Sequence, residues 1–231
     1  MCSSNPGVFG YNTKSDMIDL DLLSEKRQYL YHLTSRVNLP SIIACTTLWS
    51  ASVLFERAHG AAAARDEIRR RRPGPGPTSI VVDGQPVEIR DQHTISEIAL
   101  PKCLEDGGIG DYYELLNRRV FLWPTLERLS RHYARYAAER PVLLRFTTSD
   151  LLALNPHVEF SRLNSGATRP NSHLGGIAPK RGRNTFQAVD TCNLKIADIA
   201  EVTFPERCRL TDFFWTSSKP EGPWRRVIIR Q

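Results

Sequence analysis

The sequence predicts an α+β fold: a split, mostly antiparallel sheet with flanking helices. Two observations carry this. Short runs with strand alternation and runs with helical spacing follow one another without an internal repeat and without the regular strand–helix rhythm of a parallel sheet. Asp83-Gly84 lies between two strand-like runs, a strong signal for an antiparallel hairpin.

Taken in order, residues 1–16 read as a flexible arm and Asp16 to Lys26 as a short helix. Gln28 to Thr34 alternates as a strand, and Asn38-Leu-Pro-Ser opens a helix, with Asn or Ser as cap and Pro in the first turn. Leu48 to Ser50 forms a second short strand. An Ala- and Arg-rich helix is expected from Phe55 to about Arg72, stopped by Pro73-Gly-Pro-Gly-Pro77. Thr78–Val82 and Pro86–Arg90 make the hairpin. Residues 91–118 are mixed. Val120 to Trp123 is a buried strand, and Pro124 to Arg140 a helix with Leu126, Leu129, Tyr133 and Tyr136 at helical spacing. Strands follow at Pro141–Phe146, Val158–Phe160, Phe186–Val189, Ile199–Phe204 and Arg225–Ile229, with a short helix from Ser149. A long polar loop spans residues 161–184; such a loop inside a compact domain is usually functional or disordered. The expected organisation is one domain over residues 17–231, with a basic helix and hairpin inserted near 56–90.

The chain of 231 residues is 41% hydrophobic and 24% charged, ordinary globular usage that excludes a wholly disordered protein. No apolar run reaches the ~18 residues of a membrane-spanning helix, and Met1 to Lys14 is polar without a signal-peptide core, so a cytoplasmic protein with no membrane partner is expected. A net charge of +6 makes anionic partners, nucleic acid first, plausible. Five irregularly spaced cysteines, without C-x-x-C, argue against a disulfide framework and a structural zinc site, and no metal is expected. Phosphate-loop, dinucleotide-fold, zinc-protease and nucleophile-elbow motifs are all absent.

The most informative stretch is Tyr31-His-Leu-Thr-Ser-Arg-Val-Asn-Leu-Pro-Ser-Ile-Ile43. Alternation puts His32 and Thr34 on one strand face, opposite Tyr31 and Leu33. A His and a hydroxyl so placed can address one polar ligand, and the helix start just beyond favours an anion. The bland alternative is a satisfied core histidine beside a helix cap.

This stretch resembles the opening of the DarT-like ADP-ribosyltransferases: an aromatic residue, His-x-Thr and then Asn-Leu-x-x-Ile, matched by His32, Thr34 and Asn38. The resemblance implies a split sheet of the ADP-ribosyltransferase type, with NAD as substrate and these residues on its adenosine-ribose side. Asn117-Arg-Arg-Val-Phe-Leu-Trp123 resembles the family's second core strand, whose aromatic residue flanks the nicotinamide; Phe121 and Trp123 take that part, and Arg119 is the candidate for the pyrophosphate. Arg181 to Gln187 is the candidate third motif, and Ile196, Ile199 and Val202 match the pattern downstream. The family's catalytic Glu is missing there. Gln187 could orient a nucleophile, Phe186 could hold the position instead, and Glu159 or Glu201 could supply an acid from another strand.

DarT-type members modify DNA bases and CmdT-type relatives modify mRNA, so the resemblance implies a nucleic-acid acceptor, RNA or DNA, in a bacterial toxin or phage-defence effector with a possible antitoxin partner. Candidate nucleic-acid contacts are Arg69, Arg70, Arg71 and Arg72 at a basic helix end, and Arg181 and Arg183 near the end of the polar loop. A solvated helix end explains the first four equally well. The rival readings are a degenerate, non-catalytic nucleotide- or nucleic-acid-binding module of the same fold, and a plain interaction domain.

Overall fold

The computed structural model describes residues 17–70, 76–90, 95–168 and 178–229. The expected arm (1–16), Arg71, Arg72 and the middle of the polar loop lie outside the described residues. In chain order the elements are α1 (Leu20–Lys26), β1 (Tyr29–Thr34), α2 (Leu39–Cys45), β2 (Thr47–Trp49), α3 (Ala51–His59), α4 (Ala61–Ile68), β3 (Thr78–Val82) and β4 (Gln85–Ile89). They continue with α5 (Leu100–Cys103), α6 (Ile109–Asn117), β5 (Arg119–Leu122), α7 (Leu126–Tyr136), β6 (Val142–Thr147), α8 (Thr148–Leu154) and β7 (Glu159–Ser161). The last are β8 (Gln187–Ala188), β9 (Glu201–Pro205), β10 (Arg207–Arg209), β11 (Phe213–Ser217) and β12 (Arg225–Ile228).

The fold is α+β, and its main sheet is split. A first sheet runs β1-β6-β11-β12 and a second β5-β9-β7-β8, every pairing antiparallel. Among the described residues one backbone bridge joins them: Tyr31 N–H donates to Trp123 O at 3.0 Å, and Trp123 N–H to Tyr31 O at 2.8 Å. The inner faces of both sheets share one core, in which Leu30, Leu144, Phe146 and Phe214 of the first meet Leu122, Phe160, Val202 and Phe204 of the second. None of these is more than marginally accessible, so truncating one of the phenylalanines removes contacts worth about 3–5 kcal/mol.

The expected single helix from Phe55 to Arg72 is two. Gly60, at φ 81, ends α3 and starts α4 in a conformation that only glycine takes without strain. The hairpin is as expected: Asp83 and Gly84 both have positive φ, the signature of a tight two-residue turn. It packs with α3 and α4 around Phe55, Ile68, Ile80 and Val87 as a satellite core. Asn38 ties this unit to the main body. Its side chain does not cap α2; its Nδ2 donates to Glu88 O at 2.8 Å and its Oδ1 accepts from Glu88 N at 2.7 Å, so the amide pairs with β4 as a strand edge would.

No helix among the described residues is long and apolar enough to cross a membrane. Among them, too, no three His, Cys, Asp or Glu side chains are grouped to hold a metal ion, and Cys45, Cys103, Cys192 and Cys208 are free thiols.

Candidate functional site

Beyond the Tyr31–Trp123 bridge the two sheets diverge, because a side chain replaces the next backbone contact. His32 Nδ1 lies 2.8 Å from Phe121 O. A carbonyl only accepts, so Nδ1 carries the proton. Burial pushes the His32 pKa below its ordinary value, more strongly than this bond raises it, so the ring is neutral. Its Nε2 is then an acceptor, and it has no partner among the described residues.

The divergence opens a cavity of about 480 Å³, within the usual range for small-molecule sites. All six residues expected to contact a dinucleotide line it: His32, Thr34, Asn38, Arg119, Phe121 and Trp123. The hairpin contributes Glu88, Ile89 and Arg90, and the end of α7 with the turn after it contributes His132, Tyr136 and Glu139.

Several of these groups are already engaged. Asn38 donates to Thr34 Oγ1 at 3.0 Å as well as to Glu88 O, so both its donors are occupied; it shapes the wall and positions Thr34. Ser35 Oγ donates to the Glu88 carboxylate. Arg119 is clasped by Glu159, Nε to Oε2 at 2.7 Å, and also donates to Leu115 O at 2.6 Å. Trp123 is covered by His132, with ring centroids 4.2 Å apart and the planes tilted by 32°, and His132 also leans on Tyr136 at 4.8 Å. Burial, then Arg135, His32 and Arg90, push the His132 pKa down to about 3, so this ring is neutral as well. Arg90 pairs with Glu139 and lies over the Tyr136 ring. Phe121 turns an edge to Phe186 at 5.9 Å, and Arg119 covers the same Phe186 ring at 4.4 Å.

The third-motif expectation needs correction. In the β7–β8 ladder Gln187 pairs with Phe160, and Phe160 with Val202, so Gln187 shares the core face. Phe121, Thr203 and Glu159 form the neighbouring row on the other face. Gln187 is thus turned away from the cavity wall, its Oε1 buried without a partner among the described residues. Phe186 lies on the site face but reaches the cavity only through Phe121 and Arg119. Nor do the fallback acids line the cavity. Glu159 holds Arg119, and Glu201 is 2% exposed and accepts from Ser165 N–H at 3.2 Å. The carboxylates on the wall are Glu88 and Glu139.

The expected nucleic-acid contacts also divide. Arg181 is 2% exposed and donates to the carbonyls of Ser165, Ala167 and Pro179, clasping the two ends of the polar loop; it cannot meet a phosphate. Arg69 bonds Glu114 at 2.7 Å and Asp111 at 2.6 Å, tying α4 to α6. Arg70 pairs with Glu67 one turn away. Arg183 is exposed, its main-chain N–H held by the Asp106 carboxylate at 3.2 Å.

Residues 28–209 match a family of unknown function, DUF7002. The chain belongs to this family. The matched span runs from β1 through β10 and contains every residue of the cavity wall named above. No curated protein and no solved structure matches the chain.

The polar and aromatic wall residues absent from the sequence reading include Arg90, Glu88, Glu139, His132 and Tyr136 in its site role. One signal was available for the last two: spaced four apart, they share a helix face. The others reach the cavity through the hairpin's docking, which no local pattern reports.

Proposed function

We propose that the cavity binds NAD and that the protein is an NAD-dependent ADP-ribosyltransferase acting on nucleic acid. The observation that carries this reading is the opening of the sheets at His32. There a neutral imidazole whose Nε2 has no partner among the described residues, the Thr34 hydroxyl and the Phe121 ring meet on one cavity wall. These are the residues through which the sequence resembles DarT-like ADP-ribosyltransferases.

Nε2 of His32 suits a ribose hydroxyl, which has a proton to donate. Phe121 offers an aromatic face to a nicotinamide ring. A pyrophosphate would compete with Glu139 for Arg90, or with Glu159 for Arg119. Cleavage of the nicotinamide–ribose bond leaves positive charge on the ribose, and Glu88 and Glu139 are the wall carboxylates that can offset it and take the proton of the attacking acceptor group. The same resemblance supports a role as a toxin or phage-defence effector.

A second reading has its own support. Gln187 faces the core and Glu159 is held by Arg119, so no acid from the third strand region serves the cavity. That favours a module that binds a nucleotide without transferring it.

The test is incubation with phosphate-labelled NAD and separate pools of DNA, RNA and protein. Transfer to a nucleic-acid pool is expected, falling about a hundredfold in Glu88→Gln or Glu139→Gln if that carboxylate is the general base. NAD binding without label on any pool would overturn transfer and leave the binding module; label on protein alone would overturn the acceptor class.

A further inference from the structure

The outer face of the first sheet sets arginines among aromatic rings. Alternation and register place Tyr29, Arg145, Phe213, Trp215 and Arg226 on it, away from the shared core. Trp224 joins them from the segment before β12. The Arg145 guanidinium lies 4.5 Å from the Tyr29 ring centre and 4.8 Å from those of Trp215 and Trp224. Arg226 lies 4.0 Å over Phe213. Phe213 and Trp215 meet edge to face at 5.2 Å, and Trp215 meets Tyr29 at 5.7 Å.

Neither arginine makes an ion pair among the described residues. The strand positions on this face carry no Asp or Glu, so the two guanidiniums keep their charge while rings hold them in place. The rings are partly accessible, and Ile228 at the edge is 64% exposed. Partly accessible aromatic surface interleaved with cations that no carboxylate among the described residues neutralises fits a polyanion whose repeating units have flat apolar faces.

We propose that this face is a docking platform for single-stranded nucleic acid, with bases stacked on the Trp215 and Trp224 rings and phosphates met by Arg145 and Arg226. A duplex hides its base faces and would gain only the charge. The platform adjoins the cavity: Trp224 rests 5.9 Å from Tyr31, whose backbone pairs with Trp123 on the cavity wall. A strand lying there ends beside the site, which gives the acceptor of the proposed transfer reaction its approach. In this respect the inference rests on the nucleic-acid reading above.

The experiment measures binding of fluorescein-labelled oligothymidylate and oligouridylate of about 12 nucleotides. Trp215→Ala should weaken binding about tenfold, the loss of one stack, and Trp215→Phe should restore most of it. Arg226→Glu, at an exposed position that the fold does not need, should weaken binding and reduce the slope of log K against log salt by about one. Arg69→Ser should leave both unchanged, since Arg69 is held by Asp111 and Glu114. Thermal melting of each variant separates lost binding from lost folding.

Wild-type affinity in Trp215→Ala and Arg226→Glu, or no oligonucleotide binding by the wild type, overturns the platform. Label transfer from NAD, measured on the same samples, keeps the two claims apart. Transfer that is indifferent to the platform variants removes the platform and keeps the enzyme. Platform-dependent binding without transfer keeps the platform and removes the enzyme.

Discussion

On the outer face of the second sheet, Arg119 lies under cover between Glu159 and the Phe186 ring, its side chain 11% exposed. On the outer face of the first sheet, Arg145 and Arg226 lie against rings with no carboxylate on the neighbouring strand positions. The same residue type on two sheets of the same size serves opposite ends. Where an arginine meets an acid out of solvent, its charge is consumed in holding elements together, as Arg119 joins β5 to β7. Where rings hold it, the charge remains for something outside the chain. A net charge of +6 says nothing about which arginines are which.

The sharpest way to break this comparison is to remove the partners. Glu159→Ala strands the Arg119 cation in a site where both side chains are less than a fifth exposed, and should cost about 3 kcal/mol in urea unfolding. Arg145→Met, which keeps the stem against the rings and discards only the charge, should cost no more than about 1 kcal/mol. Equal losses would mean that the two faces do not differ in kind.

A comparable effect comes from the buried acid Glu201, on the same face of the second sheet as Glu159. Desolvation lifts the Glu201 pKa from 4.5 to about 7, against the opposing pull of Ser165, Arg128 and Arg181. The folded protein therefore holds this proton more tightly than the unfolded chain. The contribution to stability is fully present below about pH 4.5 and is lost as pH rises to about 7, above which it stays flat. Glu201→Gln should abolish that slope and raise stability above pH 7 by about 3 kcal/mol. A wild-type profile that climbs between these pH values would place the Glu201 pKa below its ordinary value.

The sequence makes some of this legible and hides the rest for physical reasons. Alternation in β1, the Asp83-Gly84 turn and the His-x-Thr spacing are local, and each lands where the pattern puts it. The aromatic run Phe213-Phe-Trp-Thr-Ser does not read as a strand, because both its faces carry rings: Phe214 enters the core while Phe213 and Trp215 form the platform. Gln187 is one residue from Phe186, and in a strand one residue is the difference between two faces. The arginine partners are the least legible. Arg69 finds its acids 42 and 45 residues away, and Arg181 binds carbonyls of its own loop; neither choice leaves a mark in the local sequence.

The central claim is that the opening between the sheets holds NAD, and calorimetric titration of NAD into three proteins tests it most directly. The wild type should bind at one site per chain. His32→Ala should lose that binding, while its stability in urea unfolding falls only by what one backbone-directed hydrogen bond supplies, about 1 kcal/mol. Gln187→Ala, on the opposite face, should bind as the wild type does. No heat from the wild type, or equal loss in both variants, would contradict the account.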